Sequence, residues 1–268
     1  NWIFNIVVHA DFGRSFLGGG ITAGPGHTPI RDIIAEKLPA TVALTSFTIV
    51  ITWTLAIPIG IYSAVRHNSI GDFTFTLLGF TGLAVPDFLL ALLIMYALFA
   101  WFDQSVGGLF SGHYESAAWS LAKIWDLIKH LFVPAIVLGT SGTAGLIRIM
   151  RNNLLDELAK PYVVTARAKG MANWRIVAKY PVRVAINPFV SGIGGMLPAL
   201  IGGSVIVSVV LSLPTLGPIL LVAIQGEDWP LSGSIILLLG SLTIVGTLIS
   251  DLLLVAVDPR IRLTNSGE

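Results

Sequence analysis

Apolar residues are gathered into five long stretches separated by shorter polar segments. Pro39 to Val65 carries no charge, Phe73 to Phe102 carries only Asp87, and Leu131 to Met150 meets its first charge at Arg148. Val184 to Leu213 is uncharged, and Leu231 to Val257 contains only Asp251. Crossing about 30 Å of hydrocarbon takes about 20 mostly apolar residues at the helical rise. Each stretch therefore predicts a transmembrane helix, because a helix satisfies its own backbone groups where no water can. The pattern points to an all-α polytopic membrane bundle with five visible spans. Buried helices of a water-soluble protein are the alternative, and five such stretches in one chain argue against it.

The longest polar connection, residues 151–183, has a pattern of its own. Leu154, Leu155 and Leu158 recur at helical spacing. Pro161 suits the first turn of a new helix, Tyr162 to Lys169 spans about two turns, and Gly170 suits the left-handed residue that ends one. The short helix so predicted carries small residues Thr165, Ala166 and Ala168 beside the basic Arg167 and Lys169. Small side chains permit close approach by a partner, and basic ones suit an acidic rim. An ordinary solvated loop, basic for topological reasons alone, is the competing reading.

Three features bear on a path through the membrane. Ser204, Ser208 and Ser212 lie four residues apart, so on a straight helix they form one polar stripe that either lines an aqueous path or packs against another helix. LPTLGP at Leu213 to Pro218 breaks that helix, as an outer loop or as a re-entrant piece. Asp87 and Asp251 are carboxylates inside apolar stretches, where charge is costly and functional roles are common. Asp251, near one end of its stretch, is expected to bond to a neighbouring helix or an interfacial arginine; Asp87, just after Pro86, is a candidate to face a water-filled cavity. Gly139, Gly142 and Gly145 predict close helix packing.

Charge sets the orientation. The spans divide the other segments into two alternating sets, and eleven of the sixteen lysines and arginines fall in 66–72, 148–183 and 258–268. The positive-inside rule makes that set cytoplasmic, which places the C-terminus inside and residues 1–38 outside. An external segment of that length needs something to carry it across the membrane. Either a transmembrane helix or a cleaved signal peptide is expected to precede Asn1; the helix is the preferred expectation and brings the intact protein to six spans. Residues 1–38 then form an external segment, and 39–268 the transmembrane domain with its cytoplasmic loop at 151–183.

Composition narrows the chemistry. Hydrophobic residues make up 54% of the 268 and charged ones 12%, with mean hydropathy +0.82 and formal net charge +1. An average soluble domain is about 25% charged, and nothing here suits nucleic acid. The chain has no cysteine, hence no disulfide, thiolate metal site or thiol nucleophile. The five histidines are scattered without metal-ligand spacing, and no GxxxxGK[ST] phosphate loop occurs. The chain is expected to hold no cofactor and to be no enzyme.

The stretch PYVVTARAKG resembles the coupling loop of binding-protein-dependent ATP-driven importer permeases, in the dipeptide and oligopeptide branch. DFGRSF at Asp11 to Phe16, IAEKLPAT at Ile34 to Thr41, IPIGI at Ile57 to Ile61 and LISDLLLVAVDPRIR at Leu248 to Arg262 extend the likeness in order along the chain. The resemblance implies the type I importer permease fold, multi-pass in the bacterial inner membrane. It also implies a homologous second permease, two ATP-binding subunits that carry ATP and Mg, and an external solute-binding protein. Tyr162, Thr165, Ala166, Arg167, Ala168, Lys169 and Gly170 would be the residues that couple to the ATPase. The broader family pattern begins Glu-Ala-Ala; Val164, Thr165 and Ala166 stand here, so the acid and the first alanine are absent. The implied cargo is a di- or oligopeptide, with oligosaccharides or metal chelates as alternatives in the same class. The rival from another class is an ion-gradient-driven secondary transporter using Asp87 and Asp251.

Overall fold

A computed structural model of the chain describes residues 2–9, 11–16, 28–102, 107–115 and 117–257. In chain order the helices are α1 (Trp2–His9), α2 (Ile30–Val65), α3 (Ile70–Ala84), α4 (Asp87–Phe102), α5 (Gly112–Glu115), α6 (Leu121–Leu158) and α7 (Pro161–Ala168). They continue with α8 (Asn173–Lys179), α9 (Pro181–Ala185), α10 (Asn187–Gly203), α11 (Val205–Val210), α12 (Leu216–Gln225) and α13 (Trp229–Val257). Among the described residues the extended pairing is a single bridge between Arg14 and Pro29.

Of the five apolar stretches, three are single helices long and apolar enough to cross a membrane: α2, α6 and α13. The stretch Phe73 to Phe102 is broken between α3 and α4, and that pair qualifies only when taken together, which allows up to four spans. The break has a local cause. Val85 precedes Pro86 and adopts φ −90°, ψ 123°, the extended region into which a following proline pushes its neighbour. The stretch Val184 to Leu213 is not one helix either; it comprises the end of α9, then α10 and α11, interrupted at Ile186 and Ser204. Conversely, α2 begins at Ile30, inside the segment assigned to the exterior, and α6 runs on to Leu158, inside the loop.

The chain divides into two compact units. The first takes residues 1–48, 87–138 and 197–243. One of its cores gathers Leu44, Ala91, Leu131, Val207 and Leu211; another joins Ile30, Ile33 and Ile34 of α2 to Leu216 of α12 and Leu231 and Ile235 of α13. Two polar devices fix this unit. Thr41 accepts a hydrogen bond from the Leu216 amide at 2.9 Å, so a side chain on α2 caps the start of α12. Asp228 caps α13 by accepting from the Leu231 amide, and its other oxygen accepts from the Ser15 hydroxyl at 2.6 Å and the Phe16 amide at 2.8 Å. That buried carboxylate ties the DFGRSF segment to the start of α13.

The second unit takes 49–86, 139–196 and 244–268. Its larger core holds Ala56, Ala64, Met150, Leu154, Ala185 and Phe189, and a smaller one holds Val163, Ala166 and Ile176. Ser69 accepts from the Asp72 amide while the Asp72 carboxylate accepts from the Asn68 amide, a reciprocal cap at the start of α3. The same carboxylate holds Arg151 of α6 through Nε at 2.9 Å and Nη2 at 3.0 Å. Of the glycines expected to pack closely, Gly142 is in ordinary contact range, since its Cβ would lie 3.9 Å from Thr52 Cγ2, while a Cβ at Gly145 would meet nothing within 4 Å; a much tighter approach occurs at Gly194, where a Cβ would lie 2.6 Å from Thr247 Oγ1.

Candidate functional site

The loop 151–183 contains α7, α8 and most of α9, and α7 starts and stops where the sequence pattern places it. Lys160 is extended (φ −69°, ψ 148°) ahead of Pro161, and Pro161 occupies the first turn. At the other end Gly170 has φ +76°, which glycine adopts without the strain a Cβ would bring. The Met171 amide donates to Ala166 O at 3.3 Å and the Gly170 amide to Arg167 O at 2.9 Å. These are the two bonds of a Schellman motif, and its hydrophobic contact is present as Met171 against Val163, Ala166 and Ile176.

The burial pattern then sorts the residues expected to couple. Val163 and Ala166, three apart on one face, turn inward onto Ile176 of α8, leaving Ala166 only 8% exposed. Tyr162, Thr165, Arg167, Ala168, Lys169 and Gly170 are exposed, with Val164 at 61%. Ala166 is therefore a core residue of the loop and not part of its outer face; that face is built around Val164, Thr165, Ala168 and the two cations. Tyr162 donates to a Glu157 oxygen at 2.6 Å and stacks edge-on against Tyr180. Loss of hydration, then the adjoining Glu157 carboxylate, pushes its phenol well above the usual tyrosine range. Glu157 was missed by sequence reading; its signal was an acid five residues ahead of Tyr162, across a proline-started turn.

The serine stripe is not formed as expected, because its three members do not share a straight helix. Ser204 sits at the break before α11 and donates to Ile201 O at 3.0 Å. Ser208, on α11, is 0% exposed, and its hydroxyl has no hydrogen-bond partner among the described residues. Ser212 lies beyond α11 with φ +53°. The Leu213 amide donates to Ser208 O and the Ser212 amide to Val209 O, so Ser212 fills the left-handed position of another Schellman motif. Changing Ser212→Gly should leave uptake near wild-type and raise stability by about 0.5–1 kcal/mol by removing a strained Cβ. Thermal unfolding beside an uptake assay checks this; a large loss of uptake would return the hydroxyl to the solute path.

Asp87 is half-buried in the first turn of α4, where unpaired backbone N–H groups favour a carboxylate. Asp251 is exposed on α13 beside Leu248 and Leu252. The bond expected from it to a neighbouring helix or arginine is not made among the described residues. Asp258, Arg260 and Arg262 of the final motif lie outside those residues, as do positions 17–27 of the external segment. No group of three or more histidines or carboxylates suited to a metal occurs among the described residues.

Long apolar helices, broken partner helices and a short loop helix with an exposed small-residue face define a membrane-embedded permease component. The model of the family described as binding-protein-dependent transport system inner membrane component matches residues 56–263, and the chain belongs to that family. It is 36% identical over 97% of its length to the oligopeptide transport system permease protein AppB of Bacillus subtilis, covering 78% of that protein. It is 30% identical to the dipeptide transport system permease protein DppB of Escherichia coli, over 96% of this chain and 78% of that one. Among solved structures, a chain of the MetNI methionine ABC transporter in inward facing conformations matches with TM-score 0.65 at 18% identity, covering 87% of this chain and all of that one. The fold is thus that of a type I importer permease.

Proposed function

We propose that this chain is the peptide-conducting half of an ATP-driven importer, with its C-terminus in the cytoplasm. It pairs with a homologous second permease, the pair docks two ATP-binding subunits with one of them seated on the outer face of this chain's α7, and it receives its cargo from an external solute-binding protein. ATP and Mg are bound by those partners. The observation that carries this reading is the nearly full-length relation to permeases named for oligopeptide and dipeptide transport. The exposed face of α7 supports the coupling role, since its small side chains let a partner approach the backbone closely.

The test is uptake of a labelled tripeptide into proteoliposomes holding the complete complex with its binding protein. Uptake should require ATP and persist when the proton gradient is collapsed. Uptake that ran without ATP and stopped with the gradient would overturn the reading, and ATP-dependent uptake of an oligosaccharide or metal chelate in place of peptides would overturn the cargo.

A further inference from the structure

The cleft between α3 and α6 belongs to none of the features above. The two helices touch at small residues: a Cβ on Gly82 would lie 2.8 Å from Thr140 Cγ2, and one on Gly79 would lie 3.6 Å from Ala144 Cβ. One to two turns further along, toward the Asp72 to Arg151 bridge, a cleft of about 270 Å³ opens between them. Its walls are apolar at Phe75, Gly79, Ala144 and Ile147, with Arg148 and Asn152 as polar groups on α6.

Charge decides what suits it. Arg151, which also lines the cleft, is neutralised by the bidentate Asp72 pair. Arg148 is exposed, forms no salt bridge among the described residues, and has its guanidinium 4.9 Å from the Phe80 ring centroid. The cleft therefore carries one net positive charge, and a guanidinium is well matched to phosphate oxygens. Arg148 is also the first charge after the apolar stretch from Leu131, the depth at which a span meets the headgroup layer. On the same two helices, Phe73, Leu77 and Ile149 are exposed large apolar side chains.

We propose that this cleft binds the phosphate-bearing headgroup of an anionic phospholipid, with Arg148 as its anchor. Phosphate oxygens accept from the guanidinium, Asn152 supplies a further donor, and the acyl chain lies along Gly79, Ala144 and the outer apolar residues. A soluble anion would have no use for that apolar rim, whereas a lipid tail covers it.

The complete transporter in phosphatidylcholine nanodiscs doped with phosphatidylglycerol, transferred to mild detergent and weighed by native mass spectrometry, tests the assignment. Wild-type should retain phosphatidylglycerol in preference to phosphatidylcholine, Arg148→Gln should reduce retention about five-fold, and Arg148→Lys should keep most of it. Thr76→Trp, which fills the cleft while leaving the charge, should also lose the lipid and covers the case in which Arg148→Gln fails to assemble. Equal retention in wild-type and Arg148→Gln, equal retention of the two lipids, or displacement by excess inorganic phosphate would each overturn the proposal. So would a crosslink to another subunit from Thr76→Cys carrying a photoreactive benzophenone on its thiol, because the occupant would then be protein.

Discussion

An Asp72→Ala substitution is expected to lower the thermal midpoint of the purified subunit by about 5–10 °C, the largest stability loss foreseen for any single change outside the hydrophobic cores. Asp72 is only 5% exposed as a side chain and Arg151 23%, so removing the carboxylate strands a largely shielded guanidinium. Breaking one side of such a pair typically costs about 3–5 kcal/mol; the partial access of Arg151 to solvent argues for the lower figure. The α3 cap is lost as well, since the same carboxylate holds the Asn68 amide. Asp72→Asn should fall between, because an amide oxygen still accepts. The double change Asp72→Ala with Arg151→Met should recover much of the loss, as apolar replacement of a whole buried pair often does. A thermal scan of the four proteins is sufficient, and an Asp72→Ala midpoint equal to wild-type would mean that the bridge is a solvated surface contact.

The second large effect separates two alanines two residues apart. Ala168→Trp places an indole on the exposed face of α7 and should cut ATP-driven uptake and transport-dependent ATPase stimulation about tenfold or more, while the subunit stays folded. Ala166→Trp acts on the inside. There the indole has to displace Val163, Met171 or Ile176 from a small filled core, and overpacking of that kind costs about 1–3 kcal/mol. It should uncouple as well, but with faster proteolysis at Lys169 and Arg175, which Ala168→Trp should leave unchanged. If Ala168→Trp transported like wild-type, the outer face of α7 would not be the seat of the ATPase.

The contrast between these alanines also shows how far a sequence reaches. The limits of α7 were legible because they depend on single-residue backbone preferences: proline fixes the start at Pro161 and glycine the left-handed end at Gly170. Which alanine points inward was not legible, because that depends on Ile176, ten residues on, folding back over Val163. The membrane stretches were readable as apolar composition, yet composition is blind to interruption. The break at Val85 was announced by Pro86, whereas the one at Ser204 and the left-handed Ser212 carry no strong local signal, and the serine stripe failed with them. The anchoring carboxylates were missed for another reason. Asp72 finds Arg151 79 residues away and Asp228 finds Ser15 213 residues away; only their capping positions, Asp72 three after Ser69 and Asp228 just before Trp229 and Pro230, were visible locally.

The separate small core beneath α7 has a mechanical corollary. Because Val163, Ala166, Met171 and Ile176 close on one another, α7 and α8 form a stiff elbow that is braced from within. A load applied at Ala168 is then delivered as displacement of the whole elbow and is not absorbed by bending of the short helix. Under the proposed coupling role, stiffness at this point would pass a small movement of the seated partner on to the helices to which the elbow is joined.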